Sequence, residues 1–233
     1  MEKKTVILQS NYLPWKGYFD LINDSDTFCF YDEVKYTKND WRNRNQLYTK
    51  NGLQWISIPI NKDAVNKKIS EVELPENWQN EHYKTIKYAY GRAPYFSNLL
   101  PFMEDFYKEN NFKYLSEFNQ YSIQQISKFI GIRTNFVNSK NFDLRGDKVQ
   151  RLINLIKNIE ATEYITGPSA LNYLSGQEHL FSENNIKLTY KNYTNYPEYK
   201  QLTSPFENYV SIFDLLANIH KDEILHYICS RKK

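Results

Sequence analysis

The chain has 233 residues, a formal net charge of +3 and two cysteines, with 41% hydrophobic and 24% charged residues. That length supports one α/β domain with a real core and needs no disulfide or metal staple, while so mild a charge points to no particular partner. No apolar run nears the roughly 20 residues of a membrane-spanning helix, and Val6 to Leu8 is too short for a signal-peptide core. A cytoplasmic protein with reduced Cys29 and Cys229 is therefore expected.

Thr5 to Leu8 is a β-favouring run ended by Gln9, Ser10 and Asn11, and Trp15, Tyr18, Phe19 and Ile22 follow at helical spacing. This predicts strand, loop and helix. Thr27 to Tyr31 and Leu53 to Ile58 are two further strand-like runs, and the polar stretch 32–51 between them reads as loop. From Trp78 the period becomes helical, most clearly at Phe96, Leu99, Leu100, Met103, Phe106 and Tyr107. Pro94 suits the first turn of that helix and Asn110 and Asn111 its end. Leu115 to Ile130 repeats the pattern ahead of Gly131.

Thr134 to Val137 then reads as a strand, Asp147 to Ile159 as a helix and Glu163 to Thr166 as a strand. Pro168 to Leu174 and Gln177 to Glu183 read as short helices, and Ile186 to Tyr190 as the final strand. Tyr193 to Pro205 is a Tyr, Asn and Pro-rich loop, and Val210 to Ile228 closes the chain as one or two helices. The alternation implies an α/β fold: a mostly parallel, Rossmann-like sheet of about five strands. Residues 1–233 are expected to form one domain with a helical insertion over about 78–130.

In such a sheet, ligands gather beyond the carboxyl ends of the strands, where helix N-termini favour anions. The loop after the first strand is thus the first candidate. Gln9 and Asn11 offer amides, Tyr12, Trp15 and Tyr18 offer rings, and Lys16 and Gly17 begin the helix. The alternative is an ordinary capped turn with Trp15 in the core. The second candidate is the segment 32–45, where Lys35, Lys38, Arg42 and Arg44 alternate with Trp41 and Asn43 beside Asp32 and Asp40. Fork-shaped donors next to carboxylates suit a phosphate or pyrophosphate, against the plainer reading of a solvated charged loop.

Asp32 or Asp40 could accept a proton, His82 could act as a general base, and Ser169 could reach the first loop from a neighbouring strand end. The four histidines lack metal-ligand spacing, so no metal is expected. G-x-S-x-G, P-loop and dinucleotide fingerprints do not occur in the sequence. Aromatic content of 16%, with twenty tyrosines, fits stacking surfaces for sugars or nucleotides, or tyrosines at ordinary half-buried positions.

Four strings resemble, in order, the landmarks of the WbqC-like family: QSNYLPWKGYFDLI (9–22), YDEVKYTKNDWRNRN (31–45), TGPSALNYL (166–174) and SIFDLLAN (211–218). The resemblance runs from Thr5 to about Asn218, with Ser10 where that family commonly has proline. It implies a role in bacterial O-antigen, lipopolysaccharide or other surface-polysaccharide biosynthesis, and glycine or aminoacyl transfer has been suggested for some members. The substrate would then be a nucleotide-sugar or an amino sugar.

A weaker likeness connects the opening segment to HUP-type nucleotidyltransferases and pantothenate-synthetase-like ligases. Trp15, Lys16, Gly17 and Tyr18 fall on their H-x-G-H motif, but both histidines are missing. Lys16, Lys38, Arg42 or Arg44 would have to supply the charge. Three functions follow: a transferase using a nucleotide-activated donor, an ATP-dependent ligase or nucleotidyltransferase, and a non-catalytic module for sugar or nucleic acid. In the first, Lys38, Arg42 and Arg44 would clamp a pyrophosphate, while Asn11, Tyr12, Trp15 and Tyr18 would hold sugar or nucleotide. The mild charge disfavours nucleic acid as a partner.

Overall fold

The computed structural model describes residues 2–230 and combines short strands with helices. β1 (Lys4–Leu8), α1 (Lys16–Asn23) and β2 (Thr27–Phe30) come first. A hairpin of β3 (Arg44–Thr49) and β4 (Gly52–Ser57) follows, then α2 (Gln79–Tyr90), α3 (Leu100–Glu104) and α4 (Leu115–Phe129), before the chain returns as β5 (Asn135–Asn138). The chain continues through α5 (Lys148–Asn158), β6 (Glu163–Thr166), α6 (Leu171–Leu174), α7 (Glu178–Glu183), β7 (Lys187–Tyr190), α8 (Ile212–Asn218) and α9 (Ile224–Ile228).

Five strands form one sheet in the order β5-β2-β1-β6-β7, and every neighbouring pair is parallel. The β-branched and aromatic residues of these strands alternate between two cores, as a sheet buried on both faces requires. Val6, Phe28, Phe30 and Ile165 face a core built with α1, α8 and α9. Ile7, Cys29 and Tyr164 face the other, against Leu152 and Ile156 of α5 and Phe181 of α7. Asp147 starts α5 by accepting from the N–H groups of Val149 and Gln150 at 3.0 and 2.9 Å. Both cysteines are free, and Cys29 is buried as its apolar run predicts. No helix among the described residues is long and apolar enough to cross a membrane.

The connection from β2 to β5 spans residues 31–134 and holds the hairpin together with α2 to α4. Its core is continuous with the first sheet face, since Trp78, Ile86, Phe106 and Phe118 share one cluster with Val6 and Phe28. Three local expectations change here, the first being that the stretch 32–51, expected as loop, contains β3. The strand-like run Leu53 to Ile58 pairs with β3 in a separate antiparallel hairpin rather than joining the main sheet. The helix expected from Phe96 to Tyr107 is instead a 3-10 turn at Phe96–Asn98, α3, and a π turn at Asp105–Glu109. Pro101, which lacks an N–H, belongs to the first turn of α3 and so opens a helix rather than lying inside one.

Candidate functional site

The sheet order reverses at β1: the chain moves from β1 to β2 on one side, and later returns to β6 on the other. Loops leaving β1 and β6 therefore diverge and leave a crevice between them, the usual ligand position in open α/β sheets. A cavity of about 470 Å³ opens there. Leu8, Gln9 and Asn11 line it from the end of β1, and Thr166, Gly167 and Ser169 from the end of β6. Asp40, Trp41 and Arg42 enter from the β2–β5 connection, Lys148 from α5, Tyr173 from α6 and Tyr193 from the C-terminal loop.

The loop after β1 is tightly held. Leu13 has φ +40, a left-handed conformation that costs a non-glycine residue of order 1–3 kcal/mol. Asn45 holds it by donating to the Leu13 carbonyl at 2.7 Å, and the Tyr12 N–H donates to the Trp41 carbonyl at 2.9 Å. The Ser10 N–H donates to Asp32 at 2.8 Å, and the Tyr18 hydroxyl to the Gln9 carbonyl at 2.9 Å. Gly17 has a packing role: a Cβ there would lie 2.3 Å from the Trp15 ring, so glycine lets that indole fold back over the start of α1.

Arg42 connects the two candidate segments. Its guanidinium donates to Asn11 Oδ1 and, at 3.2 Å, to Gln9 Oε1, and lies 3.6 Å from Asp40. Its Nε is buried without a protein partner. Burial opposes the charge of Asp40, but Arg42, the Thr37 hydroxyl and the Trp41 N–H outweigh burial, and the Asp40 pKa falls below the usual carboxylate value. Lys148 brings a second cation, its ammonium 3.6 Å from the centroid of the Tyr173 ring. Two cations, one carboxylate and several rings at a strand-end crevice can hold an anionic ligand with an aromatic or sugar portion.

Trp15 and Tyr18 of the first loop also line the cleft, and the remaining expected site residues are dispersed. Asp32 is buried beneath the cleft, where its carboxylate accepts from Ser10 N–H and from Gln120 Nε2 at 2.7 Å. Burial pushes its pKa up, and its position suits holding the β1 loop in place. Tyr12 and His82 lie in the core of the lobe with Tyr107. His82 Nε2 reaches the Ser57 carbonyl at 3.2 Å and must carry the proton there, so Nδ1 accepts from the Tyr12 hydroxyl at 2.7 Å. The Tyr12 oxygen then accepts from Tyr107 at 2.6 Å, and burial lowers the His82 pKa to about 4.

Lys16 is buried among the rings of Tyr196, Tyr199 and Phe206 and donates to the Pro197 carbonyl at 3.3 Å. Desolvation lowers its pKa to about 8. It fastens α1 to the C-terminal loop. Lys35 is exposed, while Lys38, Asn43 and Arg44 line a separate small pocket of about 190 Å³. There Asn43 donates to the Ile58 carbonyl at 2.8 Å, and Arg44 lies over Trp55, 4.2 Å from its ring centroid. Of the cations proposed to replace the missing histidines, Arg42 alone lines the cleft among the described residues.

Sequence reasoning missed Lys148, Thr166, Tyr173 and Tyr193. For Lys148 a signal existed: it follows Asp147, the cap of a helix predicted after a strand, and so belongs at the carboxyl edge of the sheet. Tyr193 had no such signal, because its loop has no periodicity. A larger groove of about 630 Å³ lies along Glu163, Lys187 and Lys191, but both of these lysines are already paired, Lys187 with Glu163 at 3.3 Å and Lys191 with Asp20 at 2.7 Å. Among the described residues, no group of three or more His, Cys, Asp or Glu side chains is placed to hold a metal ion.

The profile of the WbqC-like protein family matches residues 9–226. An uncharacterized protein of Mycobacterium tuberculosis is 41% identical over 219 residues, covering 93% of this chain and 94% of that protein. No solved structure matches the chain.

Proposed function

The chain belongs to the WbqC-like protein family, and from that premise we propose that it is a transferase of surface-polysaccharide assembly. It binds an activated sugar, carried on a nucleotide or a lipid diphosphate, in the cleft between β1 and β6, and places an aminoacyl group such as glycine on a sugar amine. The observation that carries this reading is Arg42 held at the strand-end crevice by Gln9 and Asn11. A guanidinium fixed in advance meets phosphate oxygens without reorganising, which makes such donors effective against developing charge.

In this reading Arg42 and Lys148 bind the diphosphate. Asp40, ionised and lining the same cleft, takes the proton released as the sugar amine attacks the carbonyl of an activated aminoacyl donor, an ester or thioester. The C–O or C–S bond of that donor breaks as the amide forms, and its alcohol or thiol leaves with the electron pair. Asp32, buried under the loop, positions Ser10 and its neighbours. Incubating the purified protein with nucleotide-linked amino sugars and an activated glycine, a glycyl ester or thioester, in the absence of ATP, and weighing the products by mass spectrometry tests the reaction. A glycyl-sugar product that disappears in Asp40→Asn is expected. No product across the panel, together with no binding of pyrophosphate, would overturn the proposal.

The strand order and the placement of the cleft against the β1–α1 loop favour one second reading, an ATP-dependent ligase or nucleotidyltransferase. The seclusion of Lys16 weighs against it, because that position falls on the phosphate-binding motif of such enzymes. Release of pyrophosphate from ATP, dependent on an acid substrate, separates the two.

A further inference from the structure

Beside the cleft, on the outer side of the β1 loop, lies a smaller recess of about 240 Å³, lined by Asn11, Pro14, Trp15, Trp41, Asn45 and Tyr209. It shares Asn11, Trp15 and Trp41 with the cleft, so the two spaces adjoin across those side chains. Its walls are rings that folding leaves in water: Trp41 is 43% exposed and Tyr209 58%. Aromatic surface of this size, gathered around a concavity, marks a binding site more often than chance exposure.

The rings are fixed before any ligand arrives. Trp41 is held by its N–H to Asp40 at 2.7 Å, by its carbonyl to Tyr12, and by its ring against Trp55, centroids 5.6 Å apart. Trp15 is seated over Gly17 and packs on Tyr193, Tyr196 and Tyr209. Restricting such side chains beforehand removes an entropic cost of binding.

We propose that this recess seats the sugar ring of the substrate, with its C–H face against the indoles. The assignment rests on reading the adjoining cleft as the site of an activated sugar. Three observations favour a saturated ring over a nucleobase. Trp15 and Tyr209 already pack on each other, centroids 5.1 Å and planes 41° apart, so the recess offers two inclined ring faces side by side and no parallel slot for a flat base. The ring faces carry negative quadrupole charge, which attracts the slightly positive C–H groups of a sugar. Asn45 spends its amide within the protein, on the Leu13 carbonyl and the Gln46 N–H, so little is left to read a base edge. A recess below the roughly 300 Å³ of sites for drug-sized ligands also takes one ring rather than two.

The test is saturation-transfer NMR of the full chain with a panel of methyl glycosides, gluco, galacto and manno, and their 2-acetamido forms, run beside calorimetric titration with inorganic pyrophosphate. At least one glycoside is expected to receive saturation on the protons of one ring face. That transfer should fall about five-fold in Trp41→Ala and in Tyr209→Ala and return in Trp41→Phe. Pyrophosphate should still bind to Tyr209→Ala. No transfer to any glycoside, or transfer unchanged in both alanine variants, overturns the sugar subsite. Glycoside contact that depends on Trp41 and Tyr209, with no pyrophosphate binding, leaves the subsite standing and removes the reading of the cleft. Trp41 and Tyr209 are both exposed, so neither substitution empties the core, and thermal melts check that both variants fold.

Discussion

The Arg42 guanidinium donates to the side-chain carbonyl of Gln9 at 3.2 Å, joining the loop after β1 to the β2–β5 connection above it. The contact builds the cleft, and it leaves other guanidinium donors free for an anion. Replacing Arg42 by lysine keeps the charge and removes the fork. Charge-assisted hydrogen bonds contribute about 1.5–3 kcal/mol each, so Arg42→Lys should weaken pyrophosphate binding about 10–100-fold. Calorimetric titration measures it. Equal affinity in the lysine variant would mean that Arg42 braces the loop and does not touch the ligand.

Gly17→Ala should be destabilising for a reason unrelated to glycine's backbone freedom. The added methyl would meet the Trp15 ring at 2.3 Å and drive it off α1, a clash of about 1–3 kcal/mol. In a Trp15→Ala background the same change should become neutral or slightly stabilising, since alanine favours helix by about 1 kcal/mol over glycine. Urea denaturation of the four proteins of this double-mutant cycle gives the answer.

Asp32 accepts two hydrogen bonds with its side chain 1% exposed. Asp32→Ala leaves the buried Ser10 N–H unpaired, at about 1–3 kcal/mol, and frees the partly buried Gln120 amide at a smaller cost. Asp32→Asn should be milder, because burial already penalises the charged carboxylate. Chemical denaturation of both variants tests the order, and an alanine variant as stable as the native chain would exclude a positioning role.

Two buried groups push stability in opposite directions on acidification. His82 titrates near 4 when folded, below its ordinary 6.5, because burial disfavours the cation. The unfolded chain therefore binds the extra proton between those values, and stability falls as pH drops from 6.5 towards 4. Asp214 titrates near 6 when folded, above its ordinary 3.8, because burial outweighs its bonds from Gln201 and Tyr199. The folded chain binds that proton first, so acidification from 6 to 3.8 stabilises it. Asp214→Asn removes the second effect alone. Its stability relative to the native chain should worsen by up to roughly 3 kcal/mol between pH 7 and pH 4, measured by urea titrations at both.

Much of this architecture was legible in local pattern. Glu163 to Thr166 reads as a strand from its own residues and forms one, and the Asp147 cap announces α5. β3 was not, because only Asn45, Leu47 and neighbouring residues turn inward while Arg44 and Gln46 stay partly in solvent, giving a strand of mostly polar composition. Its signal lay at the turn, where Asn51 precedes Gly52 at φ +91, the dipeptide favoured in tight hairpins.

The first loop shows a harder limit. Asn11 faces the cleft while its neighbour Tyr12 is buried with His82, and the backbone turn at Leu13 that follows is invisible to periodicity. Adjacent polar and aromatic residues can thus serve opposite purposes. Tyr193 and Tyr209 reach the site through a loop whose course is set by distant packing, Lys16 among the tyrosines included. Tertiary contacts, not local sequence, decide where such residues go.

The length of the β2–β5 connection has a thermodynamic consequence. Arg42 lies within that excursion, whereas Lys148, Ser169 and Tyr173 follow it, so an anion bound as proposed would tie the two parts of the chain to each other. Neither part alone would bind, and none of the grip survives unfolding. Ligand occupancy then acts as a removable crosslink whose strength grows with concentration, and a protease given the saturated protein should find the lobe harder to peel from the sheet.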